Sequence, residues 1–219
     1  MGCACLKQCV QLSTILWMNS VVSDWMEQQI WPQIGKMMLD DAYFKLVGCA
    51  RELTKKLNGP VAQIILDGYL TFQTVAIRRL CDPRKDVISL RRVLVEVKTE
   101  NLASFDQTDS LLQSLDSCNH VCKQVNHHIA HTANPALRPD FREWNLEMKD
   151  LVEAQEAICR IAVTLDRDIL HRNIPINIIP VPQFNIIEDF TLWIPDEGIS
   201  KLWKFWHAHN NKVNAWRLP

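Results

Sequence analysis

Leu111–Thr132, LLQSLDSCNHVCKQVNHHIAHT, is the stretch on which a reading of the fold turns. At about 3.6 residues per turn, each step along a helix rotates about 100°. Leu111, Leu115, Cys118, Cys122, Val125 and Ile129 then share one stripe, the pattern of a core-facing helix surface. The stretch reads as a single amphipathic helix. His127 and His131 are four apart on its opposite side, and Asn126 lies near the edge of the stripe. Three histidines within five residues, His127, His128 and His131, make this helix end a candidate site, although a solvated face is the simpler alternative.

Composition sets the frame around that helix. The chain has 219 residues, 47% of them apolar and 22% charged, which is a globular rather than a disordered balance. A formal net charge of -1 gives no global attraction to nucleic acid, so any such binding needs a local patch. Eight cysteines are scattered without a framework pattern, as expected of reduced thiols in a cytoplasm.

The N-terminal MGCACLKQCVQLSTILWMNSVV is a poor signal peptide, with one Lys7 and a hydrophobic run broken by Gln11, Ser13 and Thr14. Gly2-Cys3 begins as a dual-acylation pattern would, but Leu6 stands where that pattern wants Ser or Thr. No stretch reaches the roughly 20 apolar residues of a membrane span. Residues 1–23 are expected to be a disordered lead-in, or translation is expected to begin at Met18 and leave the residues before it without a role.

Beyond the lead-in the periodicity is helical. Asp24 and Glu27 form a capping-box pattern, and Ile30, Ile34, Met38, Ala42, Leu46, Cys49 and Leu53 continue one row toward Leu57. Pro32 is close enough to the start to bend or restart this helix rather than end it. Asn58-Gly59-Pro60 closes it and opens a second helix, Val61 to about Cys81. Ile64, Ile65, Gly68, Phe72, Val75, Ala76 and Leu80 are its expected inward residues. After Asp82-Pro83 a third helix runs from Asp86 to Ala103, with Val87, Leu90, Leu94 and Val97 on one face. The fourth is the histidine-bearing helix. A long fifth helix runs from Asp140 to about Leu170, burying Trp144, Met148, Leu151, Ala154, Ile158, Ala162, Leu165 and Ile169.

Residues 174–198 carry Pro175, Pro180, Pro182 and Pro195, which exclude a helix through most of the segment, yet it is too apolar for free disorder. It reads as an extended arm packed across the bundle. The last helix, 199–216, turns Leu202, Trp206, Val213 and Trp216 inward. The expected fold is therefore all-α: a bundle of about five to six helices with an extended proline-rich arm before the C-terminal helix. Residues 24–219 form one domain in this reading.

Two features carry candidate chemistry. Cys118, Cys122, His127 and His131 have zinc-like spacing, but on a continuous helix the two pairs point about 180° apart and cannot share a tetrahedral ion. Neither a metal nor a cofactor is expected. The second feature is basic. Arg78, Arg79, Arg84, Lys85, Arg91 and Arg92 gather around one interhelical turn, offset only by Asp82 and Asp86. Ion-paired surface residues are the common outcome of such a run, and a phosphate-contacting patch is the functional one. No glycine-rich phosphate loop, Gly-x-Ser-x-Gly elbow or His-Glu-x-x-His is present.

Asn126-His127-His128-Ile129-Ala130-His131 resembles the signature of the HEPN superfamily, often written Arg-Asn-x-x-Ala-His. The LRRVL segment after a turn and the FWHAHNNKVNAW tail also resemble uncharacterised bacterial proteins near the U-type abortive-infection family. The resemblance implies a helical bundle, usually a homodimer, acting on RNA in bacterial defence or a toxin–antitoxin setting. In active members RNA is cut without metal. By that resemblance His131 would serve proton transfer and His127 would match the polar residue after the motif arginine. Asn126 stands at the arginine's place, and losing one such charge stabiliser typically lowers rate by about 10²–10³. Either Arg91, Arg92 or a protonated histidine replaces it in space, or the site binds RNA without cutting it, or the chain is a structural relative. His128, Arg78, Arg79, Arg91 and Arg92 would contact RNA. The alternative, from another class, is a catalytically silent module that dimerises or binds a protein through a Trp-rich C-terminal arm.

Overall fold

The computed structural model describes residues 21–54, 59–128, 146–173, 175, 177–180, 187 and 194–218, with the backbone alone for 54 and 125–128. Among these residues every regular element is helical, as expected. Residues 21–25 are helical and run through a π-helical turn, Met26–Ile30, into α1, Trp31–Thr54. Pro32 explains the turn: it has no N–H for the ladder, and the chain widens so that Trp31 N–H bonds Met26 O, five residues back. Gly59, at φ 71°, then admits α2, Pro60–Leu80, with proline at its first position. α3 is Leu90–Thr99, α4 Phe105–Asp116, α5 Asn119–His128 and α6 Met148–Thr164. A second π turn, Leu165–Ile169, extends α6, and α7, Asp196–Asn214, ends in a 3-10 turn.

α1 lies against α2 and α7, α2 against α5 and α6, and α3 pairs with α4, which lies on α6. The buried rows of α6 and α7 are those the periodicity gives: Leu151, Ala154, Ile158, Ala162 and Leu165, then Leu202, Trp206, Val213 and Trp216. Met148 is the exception, 36% exposed. Trp144 and the expected helix start at Asp140 lie outside the described residues. The described points of the arm are tied down. Ile178, Ile179, Ile187 and Ile194 are buried, and Ile178 N–H donates to Asn214 Oδ1 at 3.0 Å. The last helix begins at Asp196, three residues before the expected start, because Pro195 is accommodated as its cap.

Three expectations are corrected. The histidine-bearing helix is not continuous: α4 ends at Asp116 and α5 begins at Asn119. Serine side chains divert the local bonding there, with Ser114 Oγ donating to Ser110 O and Ser117 Oγ to Ser114 O. Cys118 N–H then closes a tight turn on Leu115 O at 3.1 Å. The third helix is shorter than Asp86–Ala103. Ser89, in extended conformation, caps it by accepting from Arg92 N–H, and Asn101, at φ 54°, follows its last turn.

The third correction is the rotation of α2. Its buried side chains are Tyr69, Gln73, Thr74, Ile77 and Leu80, while Ile64 is 70% exposed and Phe72 46%. A buried polar network sets this rotation. Asp41 on α1 is fully buried and accepts from Tyr69 Oη and Lys45 Nζ, each at 2.6 Å, with His209 Nε2 of α7 at 3.3 Å. Beside it Gln73 Nε2 donates to Met37 O, and Gln155 Nε2 of α6 to Gln73 Oε1. Turning Ile64 and Phe72 inward would strip the Tyr69 donor from a buried carboxylate and leave Met37 O without Gln73, a penalty larger than two exposed hydrophobes.

Burial pushes the Asp41 carboxyl upward, but contacts with His209, Lys45 and Tyr69 outweigh it and hold its pKa at about 2. A folded pKa below the ordinary 3.8 contributes stability above that value, lost as pH falls toward 2. The contribution at neutral pH is about 2 kcal/mol. Asp41→Asn should therefore destabilise the protein by roughly 3 kcal/mol at neutral pH. It should also flatten the acid limb of stability between pH 4 and 2, read by urea unfolding across that range.

Candidate functional site

The basic turn of the sequence becomes the wall of a cavity of about 450 Å³. The end of α2 supplies Arg78 and Cys81, the following loop Asp82, Pro83 and Arg84, α3 Arg91, and the α4–α5 junction Asp116 and Asn119. α5 completes it with Cys122 and Lys123. The loop is rigidly built. Asp82 is nearly buried and takes the Arg84 guanidinium on both oxygens, Nη2 to Oδ2 at 2.9 Å and Nε to Oδ1 at 3.1 Å. The Arg84 contact holds its carboxyl below the usual range. Asp82 O accepts from Ser89 Oγ at 2.6 Å, so one serine both fixes the loop and caps α3.

Arg91 joins three elements. Its Nε donates to Cys81 O at 3.2 Å, satisfying a carbonyl at the end of α2, and its Nη2 pairs with Asp116 at the end of α4. That pairing lowers the Asp116 carboxyl. The four cations of the cavity thus face two carboxylates that Arg84 and Arg91 already hold. Arg78 and Lys123 form no hydrogen bond or ion pair among the described residues. The cavity can accept an anion without first breaking an internal pair.

Of the residues expected to contact RNA, Arg78 and Arg91 come together here. Arg92 points elsewhere, paired to Glu96 at 2.8 Å, and Arg79 lines a separate surface with Gln33, Lys36, Phe72 and Val75. Asn126, His127 and His128 belong to the last turns of α5, whose preceding turn carries Cys122 and Lys123; their side chains lie outside the described residues, as does the whole of His131. Periodicity gives no signal for Lys123 and Asn119, because it predicts one continuous helix where the chain breaks before Asn119. Arg84 and Cys81 were visible inside the basic run. Among the described residues no group of three or more His, Cys, Asp or Glu has a metal-binding arrangement. No described helix is long and apolar enough to cross a membrane.

No protein-family model, curated protein or solved structure matches the chain. The geometry of the cavity therefore carries the functional argument.

The two kinds of cation separate by experiment. Arg91→Met removes the bond to Cys81 O and the partner of Asp116, and should lower stability by roughly 1–3 kcal/mol. Arg78→Met should change it by less than about 0.5 kcal/mol, since no internal bond is lost. Urea unfolding at neutral pH reads both.

Proposed function

We propose that this cavity is the phosphate-contacting surface of a HEPN-like domain that binds RNA and cleaves it without metal. The observation that carries the reading is a pair of cations, Arg78 and Lys123, without an ion-pair partner among the described residues, at a cavity walled by the helix that leads into Asn126-His127-His128. In this reading Arg78 and Lys123 hold phosphate oxygens, and Arg91 adds charge while remaining tied to Asp116. Arg78, rather than Arg91 or Arg92, supplies the charge that Asn126 lacks, because the latter two are committed to internal partners. His131 serves the proton transfers, its near-neutral reference pKa suiting both directions, and Asn126 and His127 flank it. Bacterial defence or a toxin–antitoxin pair is the proposed setting, and a homodimer the proposed assembly.

The test is cleavage of a mixed RNA pool in EDTA, with RNA binding measured across a salt series. Arg78→Gln and Lys123→Gln should each weaken binding to all sequences and reduce the salt slope by about 1. His131→Ala should abolish cleavage and leave binding in place. Asn126→Arg should preserve or raise activity. Absence of cleavage by both the wild type and Asn126→Arg would end the ribonuclease reading while leaving RNA binding to be judged by the salt series.

One observation favours the second reading, a silent dimerisation module. Val61 is 51% exposed, Ile64 70%, Phe72 46% and Val75 36%, and they form a helical row along α2. The tryptophans of the C-terminal segment offer less. Trp206 and Trp216 are buried, Trp203 is 37% exposed, and Trp193 lies outside the described residues. If a second copy of the chain covers the α2 row, Phe72→Glu should convert a sedimenting dimer to monomer.

A further inference from the structure

The same cavity holds chemistry that anion binding does not use. Cys81, at the end of α2, lines the cavity together with Cys122 of α5, and Cys118 lies one turn before Cys122. Residues 81 and 122 are distant in sequence, and the packing of α2 on α5 brings them together. The three differ in access. Cys118 is fully buried and Cys81 5% exposed, whereas Cys122 is half-buried and lines the cavity beside Arg78 and Arg91.

We propose that Cys122 is a hydroperoxide-reactive thiol, with Cys81 as the partner that resolves it to a disulfide across the α2–α5 interface. The proposal rests on two cysteines that the packing of α2 on α5 brings to one cationic cavity, and stands whether or not that cavity takes RNA.

The electrostatics support the assignment of roles. The Cys122 thiol is lowered, first by the hydrogen bond from Cys81 and further by Arg78 and Arg91, against the opposing effects of burial and Asp82. Cys81 is raised by the same contacts with Cys118 and Cys122, so it stays protonated and donates. A thiolate held by cations in an open cavity is the reactive form of cysteine. Cys159 is the contrast, sealed in the core and pushed upward by burial.

The step balances. The Cys122 thiolate attacks the outer oxygen of a hydroperoxide, ROOH. The O–O bond breaks and RO⁻ leaves, taking a proton to give ROH, while sulfur becomes the sulfenic acid. The Cys81 sulfur then attacks the Cys122 sulfur, its proton departs with the leaving hydroxide as water, and the disulfide forms. Two thiols are oxidised and one hydroperoxide is reduced. The product would fasten the end of α2 to α5 in the wall of the cavity.

The test uses hydrogen peroxide on the reduced full chain, followed by digestion without reductant and mapping of linked peptides. A Cys81–Cys122 linkage should form first, and in Cys81→Ser dimedone should label Cys122. Cys49, half-buried outside the cavity, is the internal comparison, and Cys122 should be oxidised at least about tenfold faster. Cys122→Ser should lose both linkage and dimedone label. Arg78→Gln keeps every thiol and should slow Cys122 several-fold, which separates the mechanism from a folding defect. Oxidation of Cys122 at the Cys49 rate, or a first linkage that omits either Cys81 or Cys122, would overturn the proposal.

Discussion

A carboxylate without solvent contact must find its donors inside the protein, and Asp41 takes them from three helices. Lys45 reaches it from α1 itself, Tyr69 from α2 and His209 from α7. Each bond constrains a rotation as well as a distance. Tyr69 stacks on Phe44 with ring centroids 3.7 Å apart, so the side chain that donates to Asp41 also fixes how closely α2 approaches α1. Gln73 continues the same face of α2 one turn on, bonding Met37 O and receiving Gln155 from α6. A core of this kind is specific because each polar atom has few places where it can be satisfied. Apolar packing alone would tolerate several rotations of α2.

The rotation of α2 also determines the cavity. With Tyr69 and Gln73 inward, Ile77 and Leu80 follow into the core, and Arg78 is left at the margin beside α5. Cys81 ends the helix with its carbonyl bonded by Arg91, and lines the cavity with Cys122. The polar network between α1, α2 and α7 is thus the reason that a cationic, thiol-bearing cavity exists at the opposite end of α2.

Much of this was legible in the residues, and the failures share a physical cause. Asn58-Gly59-Pro60, Asp82-Pro83 and Pro195 mark chain breaks by backbone geometry, which is local and readable. The rows of α6 and α7 were readable because their outward faces are charged. α2 offered apolar residues on nearly every side, so periodicity had no contrast to work with, and Tyr69 and Gln73 became inward residues only through partners 28 and 82 positions away. The break before α5 has neither glycine nor proline. It depends on serines that favour turn bonding, a competition decided by a fraction of a kcal/mol per residue. In the site, Arg78 and Arg91 stood out as members of a charge run. Which of them would be paired is decided in space, since Asp116 reaches Arg91 from 25 residues along the chain.

Asp41 and Asp166, the fully buried carboxylates among the described residues, show how completion separates fold from function. Asp41 is fully engaged and drawn low, so it behaves as a structural ion. Asp166, equally buried, receives Trp31 Nε1 on one oxygen at 2.6 Å, while Arg172 Nε remains 3.8 Å from the other, and burial pushes this carboxyl upward. It joins the two π turns, which are the irregular segments of otherwise regular helices. The cavity follows the same logic with the opposite sign. Asp82 and Asp116 are held by guanidinium groups, whereas Arg78 and Lys123 contribute no internal bond. Such groups are dispensable for packing and carry a desolvation penalty where they are partly covered. Cations held in no internal pair among the described residues, beside the cysteines of one cavity, are a local inconsistency of the kind that functional sites carry.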